Sequence, residues 1–158
     1  MATLQITCSE RIILDGKQHG KVNNYAIAGI QDVYNRSFTI KQGTESTLYT
    51  TSTDGGGGAD FDKQGVKYVR ITNNGKEPVL ITVMSASGGS ADEYVYEITR
   101  VQSHYLFSHD LALLAHNTDI TDKTTLLGIE KVTAECKRGR GVIDVFIASA
   151  GNNYYTNR

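Results

Sequence analysis

The stretch from Val66 to Val83, VKYVRITNNGKEPVLITV, most constrains what this chain can fold into. Two β-branched runs flank a turn. Val66, Tyr68, Arg70 and Thr72 fall on one face of the first run, and Lys67, Val69 and Ile71 on the other. In the second, Val79, Ile81 and Val83 alternate with Leu80, Thr82 and Met84. A period of two in such residues is the signature of strands. Asn74-Gly75 between the runs predicts a tight hairpin, because both residues tolerate positive φ. Pro78, the only proline, suits the first position of a strand, where its missing N–H does no harm. The expectation is a β-hairpin with Val69 and Ile71 buried.

The rest of the chain extends this pattern. Thr3–Thr7 alternates as a strand, and Arg11–Leu14 is a short apolar run stopped by the turn signal Asp15-Gly16. Lys17 to Asn24 is polar. Tyr25–Ile30 and Asp32–Ile40 follow as strands, with Gly29 at a candidate bulge. Thr47–Ser52 reads as another strand. Gly55 to Gly58 forms a four-glycine run, read as a flexible surface loop that ends where Phe61 re-anchors the chain. Beyond the central pair, Glu93–Val101, Ser103–Phe107, Leu126–Ala134 and Gly141–Ala148 are strand-like, the last two joined by the basic turn Lys137-Arg138-Gly139-Arg140. Asp110–His116 suits either a short helix or a strand. Nine to eleven strands at this spacing predict an all-β fold, an antiparallel β-sandwich or a jelly-roll-like domain with long polar loops. One domain spans residues 1–158, with an N-terminal arm over about 1–14 and a loose tail over about 151–158.

Charge narrows the partners. Sixteen basic residues against seventeen acidic give a net charge of −1, which argues against a nucleic-acid backbone as partner. No apolar window approaches the length of a membrane span, so no membrane partner is expected. The opening MATLQITCSE lacks a basic patch before an apolar core, so no signal peptide is expected. Cys8 and Cys136 are the only cysteines. They read as two small buried hydrophobes of a reducing compartment, with a bridge between them the alternative.

Chemistry-bearing residues do not form a motif. His19, His104, His109 and His116 match no metal-ligand spacing, and HExxH and CxxC are absent. Asp54, Asp60 and Asp62 surround the glycine run but lack the alternating acids of a calcium loop. The run does not end in Gly-Lys-Ser/Thr, so it is no phosphate loop. There is no GxSxG. No catalytic residue, metal or cofactor is predicted.

The segments TLQITCSERIILDGKQHG, AIAGIQDVYNRSFTI, KYVRITNNG, LLGIEKVTAEC and GVIDVFIAS occur in that order. In this order the chain resembles small β-rich virion structural proteins of tailed bacteriophages, many of them marine or cyanobacterial. The most specific element is Lys67-Tyr68-Val69-Arg70-Ile71-Thr72-Asn73. The following turn is usually more acidic in that group than Asn74-Gly75-Lys76 is here. The resemblance implies a β-rich, non-enzymatic structural protein of the phage particle, on capsid or tail, and the first reading within it is a capsid decoration or cement protein. It would be assembled in the host cytoplasm and bound to the major capsid protein on the outside of the virion shell as a homotrimer. Candidate contacts are Leu4, Ile6 and Arg11 on the arm, Asp54, Asp60 and Phe61 on the loop, and Tyr154 and Tyr155 on the tail. A tail, adaptor or fibre-associated protein is one alternative. A carbohydrate-binding β-sandwich, with Tyr154, Tyr155, Asn152 and Asn153 as its platform, is another.

Overall fold

A computed structural model describes residues 2–52, 60–62, 65–85, 93–107, 112–114 and 126–150. The described residues are all-β, without a helix. In chain order the strands are β1 (Ala2–Ser9), β2 (Ile12–Leu14), β3 (Lys17–His19), β4 (Val22–Ile30), β5 (Asp32–Lys41), β6 (Glu45–Ser52), β7 (Phe61–Asp62), β8 (Val66–Asn73), β9 (Val79–Ser85), β10 (Glu93–Ile98), β11 (Ser103–Phe107), β12 (Ala112–Leu114), β13 (Leu126–Cys136) and β14 (Arg140–Ser149). Within Asp110–His116, the described residues Ala112–Leu114 form the short strand β12, which pairs antiparallel with β13.

Two sheets carry the body. One has the order β11-β8-β14-β5, and the other β10-β9-β13-β6-β7 with β12 against β13. All pairings in them are antiparallel except the short parallel contact of β7 with β6. The apolar faces meet in one core. Ile40, Val69, Ile71, Ile143, Val145 and Ile147 come from the first sheet, and Leu48, Tyr49, Val79, Ile81, Val83 and Val132 from the second. Alternation dictates this, since successive side chains on a strand point to opposite faces. The result is a β-sandwich.

The central element departs from the sequence expectation. Val66–Asn73 and Val79–Ser85 are strands, as their pattern requires, but they do not pair with each other. β8 lies between β11 and β14, whereas β9 lies between β10 and β13. Asn74-Gly75 is the start of an arch from one sheet to the other. Gly75 does not take the positive φ of a two-residue hairpin, and a Cβ there would meet the Val142 amide nitrogen at 2.8 Å. The reason is burial: two strands that each bury an apolar face can place those faces opposite one another across a core. Consecutive strands β5/β6, β10/β11 and β13/β14 cross between the sheets in the same way.

Asn73 holds this end together. It is fully buried. Its Oδ1 accepts from Gly75 N at 2.9 Å, and its Nδ2 donates to Glu77 O at 2.8 Å and Ile98 O at 3.0 Å. Its own backbone N donates to Gln102 O at 3.0 Å, and its carbonyl accepts from Val101 N at 2.8 Å. One side chain therefore clamps the β8–β9 arch to the β10–β11 arch. Next to it, Asn74 N donates to Val142 O at 2.9 Å, and the Asn74 amide donates to Asp144, which also accepts from Ser37.

The N-terminal arm is longer than its expected fourteen residues. β1 folds back on β4 as an antiparallel ribbon, and β2 and β3 pair beyond it. The Asp-Gly hairpin of this chain sits there: Asp15 and Gly16 have φ of 50° and 74°, the geometry that a two-residue turn demands. The bulge predicted at Gly29 is present, with φ of 79°, opposite the register shift between Ala2 and Leu4. The ribbon packs on the outer face of the first sheet, where Leu4, Ile6 and Ile27 meet Ile30, Tyr68, Phe146 and Ala148.

Two substitutions test this packing by chemical denaturation. Ile71→Ala, which empties a fully buried site, is expected to cost about 2–5 kcal/mol. Asn73→Ala removes the donor to the Glu77 and Ile98 carbonyls and leaves Gly75 N only its 3.2 Å bond to Val142 O, and is expected to cost about 2 kcal/mol. A cost near zero for either would remove that residue from the core of the account.

Candidate interaction surface

The expected contact residues separate into five groups. Asp54, Tyr154 and Tyr155 lie outside the described residues, as do Asn152, Asn153, His109, His116 and the glycine run. Phe61 is corrected: it is only 1% exposed and is a core residue. Its ring meets those of Tyr34 and Tyr49 edge-on, at 5.5 and 6.0 Å between centroids, so no partner can reach it. Asp60 is half-buried and internally occupied, since its carboxylate accepts from Thr50 N at 2.9 Å and Thr50 Oγ1 at 3.1 Å. This bonding explains how the chain re-enters the sandwich at β7, and it leaves Asp60 a structural role. Leu4 and Ile6 are half-buried against their own body.

Arg11 remains exposed, and beside it lies what the sequence reading undervalued. Ile12, Ile13 and Leu14 are 59%, 63% and 58% exposed, and Val22 and Tyr25 are 56% and 50% exposed. All five lie within one stretch of the arm, Ile12 to Leu14 on β2 and Val22 and Tyr25 on β4, with Ile13 on the face opposite Ile12 and Leu14 and Tyr25 on the face opposite Val22. The apolar run RIIL was the visible signal. Its position at the end of a ribbon, away from the sandwich core, was not visible, because it depends on the pairing of β1 with β4. A grouped apolar surface of this kind marks an interaction site, whereas scattered exposed apolar residues are ordinary.

A second feature lies where β10 and β11, the edge strands of the two sheets, run beside each other. The rings of Tyr94 and Tyr96 are 5.5 Å apart, and those of Tyr96 and His104 are 4.1 Å apart and tilted by 33°. Tyr94 is half-exposed at 54%. The hydroxyls of Tyr49 and Tyr96 are buried with no hydrogen-bond partner among the described residues. Burial pushes the Tyr49 phenol far above its ordinary range. It does the same to Tyr96, with smaller contributions from Tyr49 and Tyr94. Both phenols are therefore neutral throughout the physiological range and serve as packing surface.

Among the described residues no three His, Cys, Asp or Glu side chains converge as metal ligands. Cys8 and Cys136 are both free, one half-exposed on the ribbon and the other buried in the core. The Cys136 thiol donates to Arg138 O at 2.8 Å within the basic turn. No helix among the described residues is long and apolar enough to cross a membrane. In comparisons with known proteins, no family model, curated sequence or solved structure matches the chain.

His104 supplies a pH test. Burial lowers its pKa from the ordinary 6.5, because desolvation disfavours the imidazolium. A folded-state pKa below the unfolded one means that the contribution is complete above about pH 6.5. It is lost as pH falls through that value toward the folded pKa. The stability of the wild-type protein should fall relative to His104→Phe as the pH is lowered from 7 to 5. Parallel profiles would show that His104 titrates alike in both states.

Proposed function

We propose that this chain is a non-enzymatic structural protein of a phage particle, a decoration or cement protein that binds the outside of the capsid shell as a homotrimer. The sandwich is its scaffold and the N-terminal ribbon its contact element. The observation that carries this reading is that Ile12, Ile13 and Leu14 on β2 and Val22 on β4 are each more than half exposed within one short stretch of the arm. A soluble domain gains nothing by leaving four such side chains in water, since burying each is worth about 1.5–3 kcal/mol. On a lattice of shell subunits they would fill apolar recesses. The resemblance of the segment order to that of small virion proteins points the same way. We also read the strand order, eight body strands with consecutive members opposite each other in two sheets, as that of a jelly roll.

Linked copies would strengthen weak single contacts, because after the first has bound the others bind intramolecularly. A net charge of −1 lets many copies crowd a lattice with little mutual repulsion.

A glycan-binding role draws on a different observation, the half-exposed Tyr94 stacked on Tyr96. Binding of the isolated protein on a glycan array, abolished by Tyr94→Ala, would favour it.

The test of the cement reading is to strip the protein from particles, measure rupture under heat or low salt, and add it back. Re-added wild-type protein should restore resistance. Ile13→Asp, which places a charge on the apolar tip, should weaken rebinding about tenfold or more. Stripped shells as robust as intact ones, with no rebinding to their outer surface, would overturn the reading. A copy number matching the tail would then transfer the protein there.

A further inference from the structure

The ribbon carries a second anomaly, away from its tip. β1 and β4 contain seventeen residues, eight and nine, and none is Asp, Glu, Lys or Arg. Across the whole chain 21% of residues are charged. One face of the ribbon, with Leu4, Ile6 and Ile27, rests on the body. The other face carries Thr3, Gln5, Thr7 and Ser9 on β1 and Val22, Asn24, Ala26 and Ala28 on β4, all exposed, with Val22 at the end next to the tip. An exposed sheet face normally carries long charged side chains. This one is small and neutral, and its polar groups satisfy each other locally: Thr7 Oγ1 donates to Asn24 Oδ1 at 2.9 Å.

Both edges are open as well. Among the described residues β1 pairs only with β4, and β4 only with β1. Native sheets protect open edges with lysines, prolines, inward charges or bulges; neither strand has a lysine, a proline or a charge, and the one bulge, at Gly29, lies at one end of the ribbon. A lone two-stranded ribbon is marginal in water. Two unprotected edges and one small, neutral face call for the same kind of partner, more strands of matching character.

We propose that this partner is the ribbon of further copies of this chain. The β1 edge of one copy pairs antiparallel with the β4 edge of the next, closing a ring of three ribbons. The reasoning is topological. A two-fold pairing of β1 with β1 would leave both β4 edges open. A head-to-tail pairing uses both edges and leaves none when it closes. Two ribbons would give four strands, fewer than the five of the small barrels that do close. Three give six, and their interior is narrow. Thr, Ala and Asn on the inward face suit that interior, while Leu4, Ile6 and Ile27 stay outward on each copy's own sandwich. The three tips, with Ile12 to Leu14, then lie at one end of the ring. This deepens the cement reading, on which the choice of a trimer rests, by naming the element that holds the trimer together.

The test uses the full chain without particles. Light scattering should give three times the 17.3 kDa chain mass across the micromolar range. Ala26→Lys and Thr7→Lys each put three ammonium groups inside the ring and should yield the single-chain mass, with the far-UV circular dichroism of the sandwich retained. Gln18→Lys, the same charge change outside the ring, should leave the trimer intact. A one-chain or two-chain mass for the wild-type protein overturns the ring, as does a trimer that both inward lysines leave whole. Shell rebinding by the monomeric variants separates the two proposals. If monomers still stabilise shells, the cement role stands without the ring. If wild-type trimers form but never bind shells, the ring stands without the cement role.

Discussion

A single buried amide, that of Asn73, sets the geometry on which the rest of the sandwich depends. An unpaired polar group in such a core would be costly, and Asn73 avoids this by engaging both arches that meet beside it. Its Oδ1 fixes the first turn of one arch through Gly75, and its Nδ2 reaches Glu77 and Ile98 on opposite sides of the junction. Each of those bonds spans a place where the chain changes sheets. The pairing of β8 with β11 and of β9 with β10 follows from holding those two crossings together. Hydrophobic burial supplies the drive to form two layers, but Val, Ile and Leu are interchangeable to first order and specify no crossing. The directional bonds of the amide do.

Much of the fold was legible from residue pattern. The strands around Val69 and Ile71, Val79 to Val83, and Ile143 to Ile147 alternate clearly, and Val69 and Ile71, the two expected to be buried, lie in the core. Gly29 marked a bulge because few other residues reach its backbone conformation. What failed was connection. Asn74-Gly75 is a hairpin dipeptide by composition, yet here Asn73 and the Val142 carbonyl capture the turn's N–H groups and lead the chain across the core. Asp15-Gly16, a weaker signal because its flanks are short, forms the true hairpin. Local sequence encodes which dihedrals a turn can reach, whereas the partner of each strand is decided by long-range burial.

The contact surface was legible in a narrower sense. An N-terminal arm is visible in the alternation of TLQIT, and its return strand β4 begins at Val22, three residues before the strand-like run Tyr25–Ile30, but nothing local says that the two pair. Leu4 and Ile6 therefore read as contact residues when they are half-covered, and the apolar run Ile12 to Leu14 is a short exposed strand beyond that pairing. Phe61 misled in the opposite direction. A phenylalanine beside a glycine run looks available, but its neighbours Tyr34 and Tyr49 close over it. Scaffold and surface are thus divided along the chain. The described residues after Asp32 build most of the core, and those before it build an arm on which Ile12, Ile13 and Leu14 stand out as exposed, as Val33, Tyr94, Val95 and Val101 do singly or in pairs on the body.

Hydrogen–deuterium exchange on the protein free and bound to capsids tests this division most directly. The account predicts added protection in the peptides covering residues 2–30, strongest at residues 12–22, with the exchange of β8, β9, β13 and β14 unchanged. Protection concentrated at the arch end around Lys76, Lys137 and Arg138, with the ribbon exchanging as it does in the free protein, would contradict it.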